Sequence, residues 1–224
     1  QQVLQRPFYW LRSDLNEEFD NVFQNKDWWQ GGTQAAGQFM TDDKSRDHKT
    51  FLRMVNTGAP TWRLFRDIVG VAMFGAGSDK INFRDSTDLY VTADVRFPVA
   101  GGVAWLGVRS TVSISGADID GYRFEVHRGP DGSTTVTVRY ESGSQREVFY
   151  DGPIPGTESG LPDWIPLTVI TYHDQLAFFA NGRFITSIDN AEQLGGALAL
   201  GVDQGTTADF DTLIIRDTTP LGGG

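Results

Sequence analysis

The residues of this chain with most capacity for chemistry lie at alternate positions of four β-type runs, 89–97, 103–110, 122–128 and 134–140. Strand periodicity sends successive side chains to opposite faces. One face collects Val91, Ala93, Val95, Leu106, Val108, Phe124, Val126, Val136 and Val138 and is the predicted core. The other collects Asp94, Arg96, Trp105, Arg109, Arg123, Glu125, His127, Thr137 and Arg139. On that polar face the Trp105 indole could stack on a sugar ring while Arg109, Arg123, Glu125 and His127 hydrogen-bond hydroxyls or carboxylates. The same opposed charges also serve a solvated antiparallel face as cross-strand pairs, each contributing a few tenths to about 1 kcal/mol. A ligand face and a solvated face both fit the pattern. Trp28 and Trp29, beside Gly31 and Gly32, form a second candidate sugar platform; the alternative is that one of them fills the end of the core.

The segment 164–217 positions these strands. Runs rich in β-branched and aromatic residues are joined by turn signals, of which Asn181-Gly182 is the sharpest, because both residue types tolerate the positive φ of a two-residue hairpin. The expected order is strand, turn, strand, tight hairpin, strand, then Leu194-Gly195-Gly196, an apolar run from Ala197 to Val202, and a last strand through Asp209-Phe210-Asp211, Leu213 and Ile215. This makes a five-strand antiparallel module. Earlier turns at Gly101-Gly102 and Gly129-Pro130-Asp131-Gly132 separate the four alternating strands.

The succession Trp164, Phe178-Phe179-Ala180-Asn181-Gly182, Leu194-Gly195-Gly196, Leu200-Gly201 and Phe210-Asp211 resembles the concanavalin A-like, laminin-G-like jelly rolls. Within them it is most similar to bacterial extracytoplasmic domains of unknown function or of the keto-disaccharide hydrolase-like kind. The similarity runs from about Asp14 to Asp217. It implies an all-β, two-sheet antiparallel sandwich with a curved sheet, whose open face is the polar face around Trp105. It also implies a structural calcium ion on the opposite sheet, with Asp211, Asp209 and Asp20 as candidate ligands. A glycosidase of this fold is expected to carry two carboxylates on one strand, as Glu-x-Asp-x-x-Glu, about 5 Å apart. That motif is missing; Asp118-x-Asp120-Gly121 lies in a turn, and only Glu125 beyond it falls on a strand. His48, His127 and His173 are scattered, so neither a nucleophile–base pair nor a histidine metal motif is formed.

Composition bounds the partners. A net charge of -10 disfavours nucleic acid and anionic membrane surfaces, which call for clustered Lys and Arg. With no cysteine, disulfides and thiolate chemistry are excluded. No apolar run has the length of a membrane span; the longest, 68–77, is far short of about 20 residues. The opening Gln1-Gln2 reads as processed, residues 1–12 as an N-terminal arm, 13–217 as the sandwich and 218–224 as a linker or tail. Phe8 and Trp10 on the arm, with Trp62 and Phe65 on an elaboration at 58–77, are candidate partner contacts; Thr61 to Gly70 carries both helical and strand spacing. Ser13 to Glu18 fits a helical turn or the lead-in to a first strand at 19–23.

Together these features point to a non-catalytic extracytoplasmic module that binds a glycan or a protein at the cell surface. One alternative is a structural subunit of a homo- or hetero-oligomeric envelope assembly. Another is a glycan hydrolase or lyase working through Glu125, His127 and Arg109.

Overall fold

The computed structural model describes residues 12–17, 28–31, 35–41, 50–58, 61–66, 88–112, 119–157 and 160–217. Every regular element among them is a strand. In chain order these are β1 (Arg12–Glu17), β2 (Trp28–Gly31), β3 (Ala35–Thr41), β4 (Thr50–Asn56), β5 (Thr61–Arg66), β6 (Leu89–Arg96), β7 (Gly102–Val112) and β8 (Ile119–Arg128). They continue as β9 (Thr134–Ser142), β10 (Gln145–Pro153), β11 (Ile165–Tyr172), β12 (Gln175–Ala180), β13 (Arg183–Ile188), β14 (Ala197–Asp203) and β15 (Thr207–Asp217). Sheet A runs β13-β12-β11-β6-β15-β4-β3, with β1 also paired to β15, and sheet B runs β10-β9-β8-β7-β14-β5-β2. The result is the expected all-β antiparallel sandwich.

Alternation sorts the inward residues as the sequence indicates. All nine predicted core residues, from Val91 to Val138, are buried in one cluster with Leu167, Val169, Leu200 and Phe210. The two sheets meet at aromatic edges, with Phe124 of sheet B set T-shaped on Phe178 of sheet A at 5.5 Å. The β12–β13 hairpin turns on Asn181 and Gly182, both at positive φ (48° and 71°).

The module at 164–217 is divided between the sheets. Strands β11, β12 and β13 form a meander in sheet A, β14 crosses into sheet B, and β15 returns to sheet A. Burial explains the crossing. Leu198, Leu200 and Val202 face the core while Ala199 is buried on the other side, so β14 is apolar on both faces, as a strand covered on both sides must be. Strand β15 changes partner along its length, pairing with β4 through 207–210 and with β1 through 213–217. A bulge after Asp211, with Thr212 at φ 50°, restores the inward phase for Leu213 and Ile215.

Three expectations change. Residues 13–17 extend a strand beside β15 and form no helical turn. The elaboration at 58–77 holds β5, which lies between β14 and β2 as part of sheet B. Strand β10 goes beyond the predicted elements; it is an edge strand exposed over 145–148, with Phe149 and Tyr150 partly buried against the core, and so lacks the hydrophobic alternation that would reveal it.

Candidate functional site

The polar face of sheet B is closed. Trp105 is fully buried, Glu125 is 1% exposed, and Arg109, Arg123 and Arg139 are all buried. The expectation of an exposed indole platform is therefore corrected, and two glycines supply the reason. Trp105 lies opposite Gly201 in the β7–β14 register, and a Cβ placed at Gly201 would come within 2.0 Å of the indole. Gly107 leaves similar room, its Cβ position falling 3.1 Å from the ring. The indole thus leans over bare backbone, and the Arg123 guanidinium stacks 4.3 Å from its centroid.

Glu125 is clamped. Arg139 Nη2 reaches Glu125 Oε1 at 2.7 Å, Arg123 Nη1 lies 3.6 Å from the same oxygen, and His127 Nε2 is 3.2 Å from Oε2. Glu141 completes the set, 3.3 Å from Arg123 Nε and 3.2 Å from Arg139 Nη2. Two guanidiniums meet two carboxylates, and His127 retains 36% side-chain exposure.

Arg109 leaves this face altogether. It takes φ 52° where β7 bulges against β8, and its guanidinium donates to the carbonyls of Gln193 and His173. Burial pushes the guanidinium down from its ordinary value, opposed by nearby Tyr122, Asp88 and Asp174. It ties two loops together at one end of the sandwich. Gly121 permits the bulge, because a Cβ there would meet Ser110 Cα at 2.8 Å. Asp120 accepts the Gly143 N–H at 2.6 Å and so caps the β9–β10 turn.

On the outer face of sheet A, Asp209 is fully buried between two arginines. Arg53 binds both its oxygens at 2.7 and 2.9 Å, and Arg96 donates to Oδ2 at 2.8 Å. Arg96 also stacks over Phe51 at 4.9 Å and Trp164 at 4.5 Å, rings that meet edge-on. A carboxylate held by two guanidiniums does not fit a calcium ligand, since the cation would be set against fixed positive charge. Asp211 lies opposite Asp94 and accepts the Thr212 N–H at 2.8 Å. Calcium takes six to eight oxygens, and among the described residues no group of three or more His, Cys, Asp or Glu could hold an ion. Asp20, Phe8 and Trp10 lie outside the described residues. Trp28 and Trp29 enter β2, and Trp62 and Phe65 enter β5; their side chains lie outside what is described.

An open cleft lies at the end of the sandwich where β6 and β8 finish. It encloses about 610 Å³, within the range of about 300–1,000 Å³ common for small-ligand sites. Arg53 of β4 and Arg96 of β6 contribute to one wall, Arg128 and the 132–134 turn to another, and the connection 160–163 with Thr157 to a third. Phe97, Pro98 and Leu161 add apolar surface, and the exposed Asp163 adds a carboxylate. The turn is tightly tied: the Gly132 N–H donates to the Gly129 carbonyl at 3.0 Å, and the Gly129 N–H to the Ser133 carbonyl at 2.9 Å. Asp131 Oδ1 accepts both the Ser133 N–H (2.9 Å) and Oγ–H (2.6 Å), bonds that hold its carboxyl below the usual range. The Thr157 hydroxyl donates to the Ile154 carbonyl at 2.8 Å, which leaves its oxygen able to accept. Guanidiniums, hydroxyls and small apolar faces around one cleft match the needs of a polyhydroxylated ligand. Of these residues only Arg96 stood among the polar candidates in the sequence; the Gly129-Pro130-Asp131-Gly132 turn was the available signal for another wall.

No family model and no curated protein sequence matches this chain. Solved structures do match in fold. A protein of unknown function with galectin-like fold from Bacillus subtilis is 14% identical, with TM-score 0.59, covering 92% of this chain and 98% of that one. A carbohydrate-binding module from Bacillus subtilis is 14% identical, with TM-score 0.54, over 85% and 95%. A legume lectin-like domain from Entamoeba histolytica is 8% identical, with TM-score 0.56, over 93% and 99%. Together they establish the jelly-roll architecture, one shared by binding modules and hydrolases alike, so function has to be argued from the site.

Proposed function

We propose that this chain is a lectin-like recognition domain that holds a glycan in the cleft at the end of the sandwich. The observation that carries the proposal is the cleft itself, lined by Arg128, Ser133, Thr134 and Thr157 beside Phe97 and Leu161. Sugars offer hydroxyls to such donors and acceptors and C–H faces to such apolar groups. The carbohydrate-binding and lectin-like names of structures sharing the fold support this reading. A glycan partner at the cell surface would place the protein outside the cytoplasm. The hydrolase or lyase alternative, including the keto-disaccharide hydrolase-like likeness, needs a carboxyl group that a substrate can reach. Glu125, its candidate, is instead 1% exposed and ion-paired to Arg139 at 2.7 Å.

A glycan array probed with the wild-type protein and with Pro98→Trp tests the proposal. Pro98 is an exposed lining residue, so an indole there fills the cleft from its rim. Binding to at least one glycan class should be lost in the variant while the thermal midpoint holds. Equal binding by both proteins, or binding to no glycan, would overturn the assignment.

A further inference from the structure

The chain carries a net charge of -10, yet three guanidiniums line its cleft. Arg53 and Arg96 both bind the carboxylate of Asp209. Arg128 is half-buried, and its one described bond is to a neutral group, the Thr134 hydroxyl at 2.6 Å. Among the described residues it makes no ion pair. Asp131 is near enough for Arg128 to help keep it ionised, but its Oδ1 is occupied by Ser133. Asp163 lies on the exposed rim. Arg128 thus stands on the cleft among the hydroxyls of Ser133, Thr134 and Thr157, and among the described residues no carboxylate pairs with it.

We infer that the cleft selects a sugar unit bearing a negative charge, a carboxylate or a sulfate, with Arg128 as the residue that reads it. This rests on the glycan proposal and narrows it. A planar guanidinium can meet a carboxylate or sulfate with two parallel N–H···O bonds, a geometry that a hydroxyl cannot match. The tight turn beside Arg128 and its bond to Thr134 fix the group before the ligand arrives, which lowers the ordering cost of binding. Ser133 and Thr157 remain for the ring hydroxyls.

Isothermal titration with a panel of uronate-bearing, sulfated and neutral oligosaccharides tests the inference. The tightest acidic ligand is compared with its carboxyl-reduced or desulfated counterpart. The charged form should bind at least about tenfold more tightly, as expected for a hydrogen bond to an ionised group, and added salt should narrow the gap. Which arm binds identifies carboxylate or sulfate as the group recognised. Arg128→Gln should abolish the preference, Arg128→Lys should retain part of it, and Arg146→Gln, 58% exposed on β10, should leave it intact. Equal affinity for charged and neutral forms would overturn charge selection and leave the glycan proposal standing. Inorganic sulfate binding as tightly as any oligosaccharide, or no oligosaccharide binding at all, would overturn both.

Discussion

Two arginine clusters on this sandwich differ in what their guanidiniums face. On sheet B, the buried Arg123 and Arg139 meet Glu125 and Glu141, with the exposed Arg146 3.9 Å from Glu141, in a set that buries Trp105 beneath it. At the sandwich end, Arg53 and Arg96 bind Asp209 while Arg128, among the described residues, bonds only the Thr134 hydroxyl, and the group opens on a cleft of about 610 Å³. Both clusters consist of the residue types a glycan site uses. What separates them is access: Arg123 and Arg139 are buried against carboxylates, whereas Arg128 is half-buried on an open cleft and, among the described residues, pairs with none.

The comparison can be broken most directly at Trp105. If the sheet B face is a second, covered core, Trp105→Ala should cost about 3–5 kcal/mol in urea denaturation, the range for truncating a buried aromatic. A loss under about 1 kcal/mol would reopen that face as a binding surface. Gly201→Val should act in the same direction, because its side chain would occupy the space held by the indole. Asp209→Asn comes next. It leaves two guanidiniums without their shared carboxylate and should cost about 3 kcal/mol; a neutral result would mean that the Arg53–Asp209–Arg96 group is not a structural unit. Glu125→Gln should cost about 2 kcal/mol, less because Glu141 still neutralises part of the pair. The smallest effect on stability is expected at Arg128→Gln, within about 0.5 kcal/mol, although this variant should alter binding most. A destabilisation as large as that of Asp209→Asn would assign Arg128 to the frame and remove the contrast between the clusters.

The inward half of this structure was legible because strand alternation has a period of two and all nine predicted core residues from Val91 to Val138 keep to it. Asn181-Gly182 was legible because few residue pairs accept positive φ twice in succession. The outer face was misread for a physical reason. Alternation says which side of a sheet a residue points to, and nothing of what lies above it. The glycines that make room for Trp105 are Gly107 on its own strand and Gly201, distant in sequence on β14. Arg109 escaped because nothing in Val108-Arg109-Ser110 announces a left-handed arginine; the permissive residue is Gly121 on the facing strand. The cleft was hidden more deeply still. Arg53, Arg96, Arg128 and Thr157 come from four separated segments, and only the β-sheet order brings their ends together.

The central claim is that the ligand enters the sandwich end and not the face of sheet B, and an amide-resolved NMR titration with the tightest glycan from the panel tests it most directly. The account predicts shifts concentrated at Gly132, Ser133, Thr134, Thr157, Gly160 and Leu161, with the Trp105 indole N–H unmoved. Shifts centred on the Trp105 indole, Gly107 and Thr137, with the 132–134 turn silent, would contradict it.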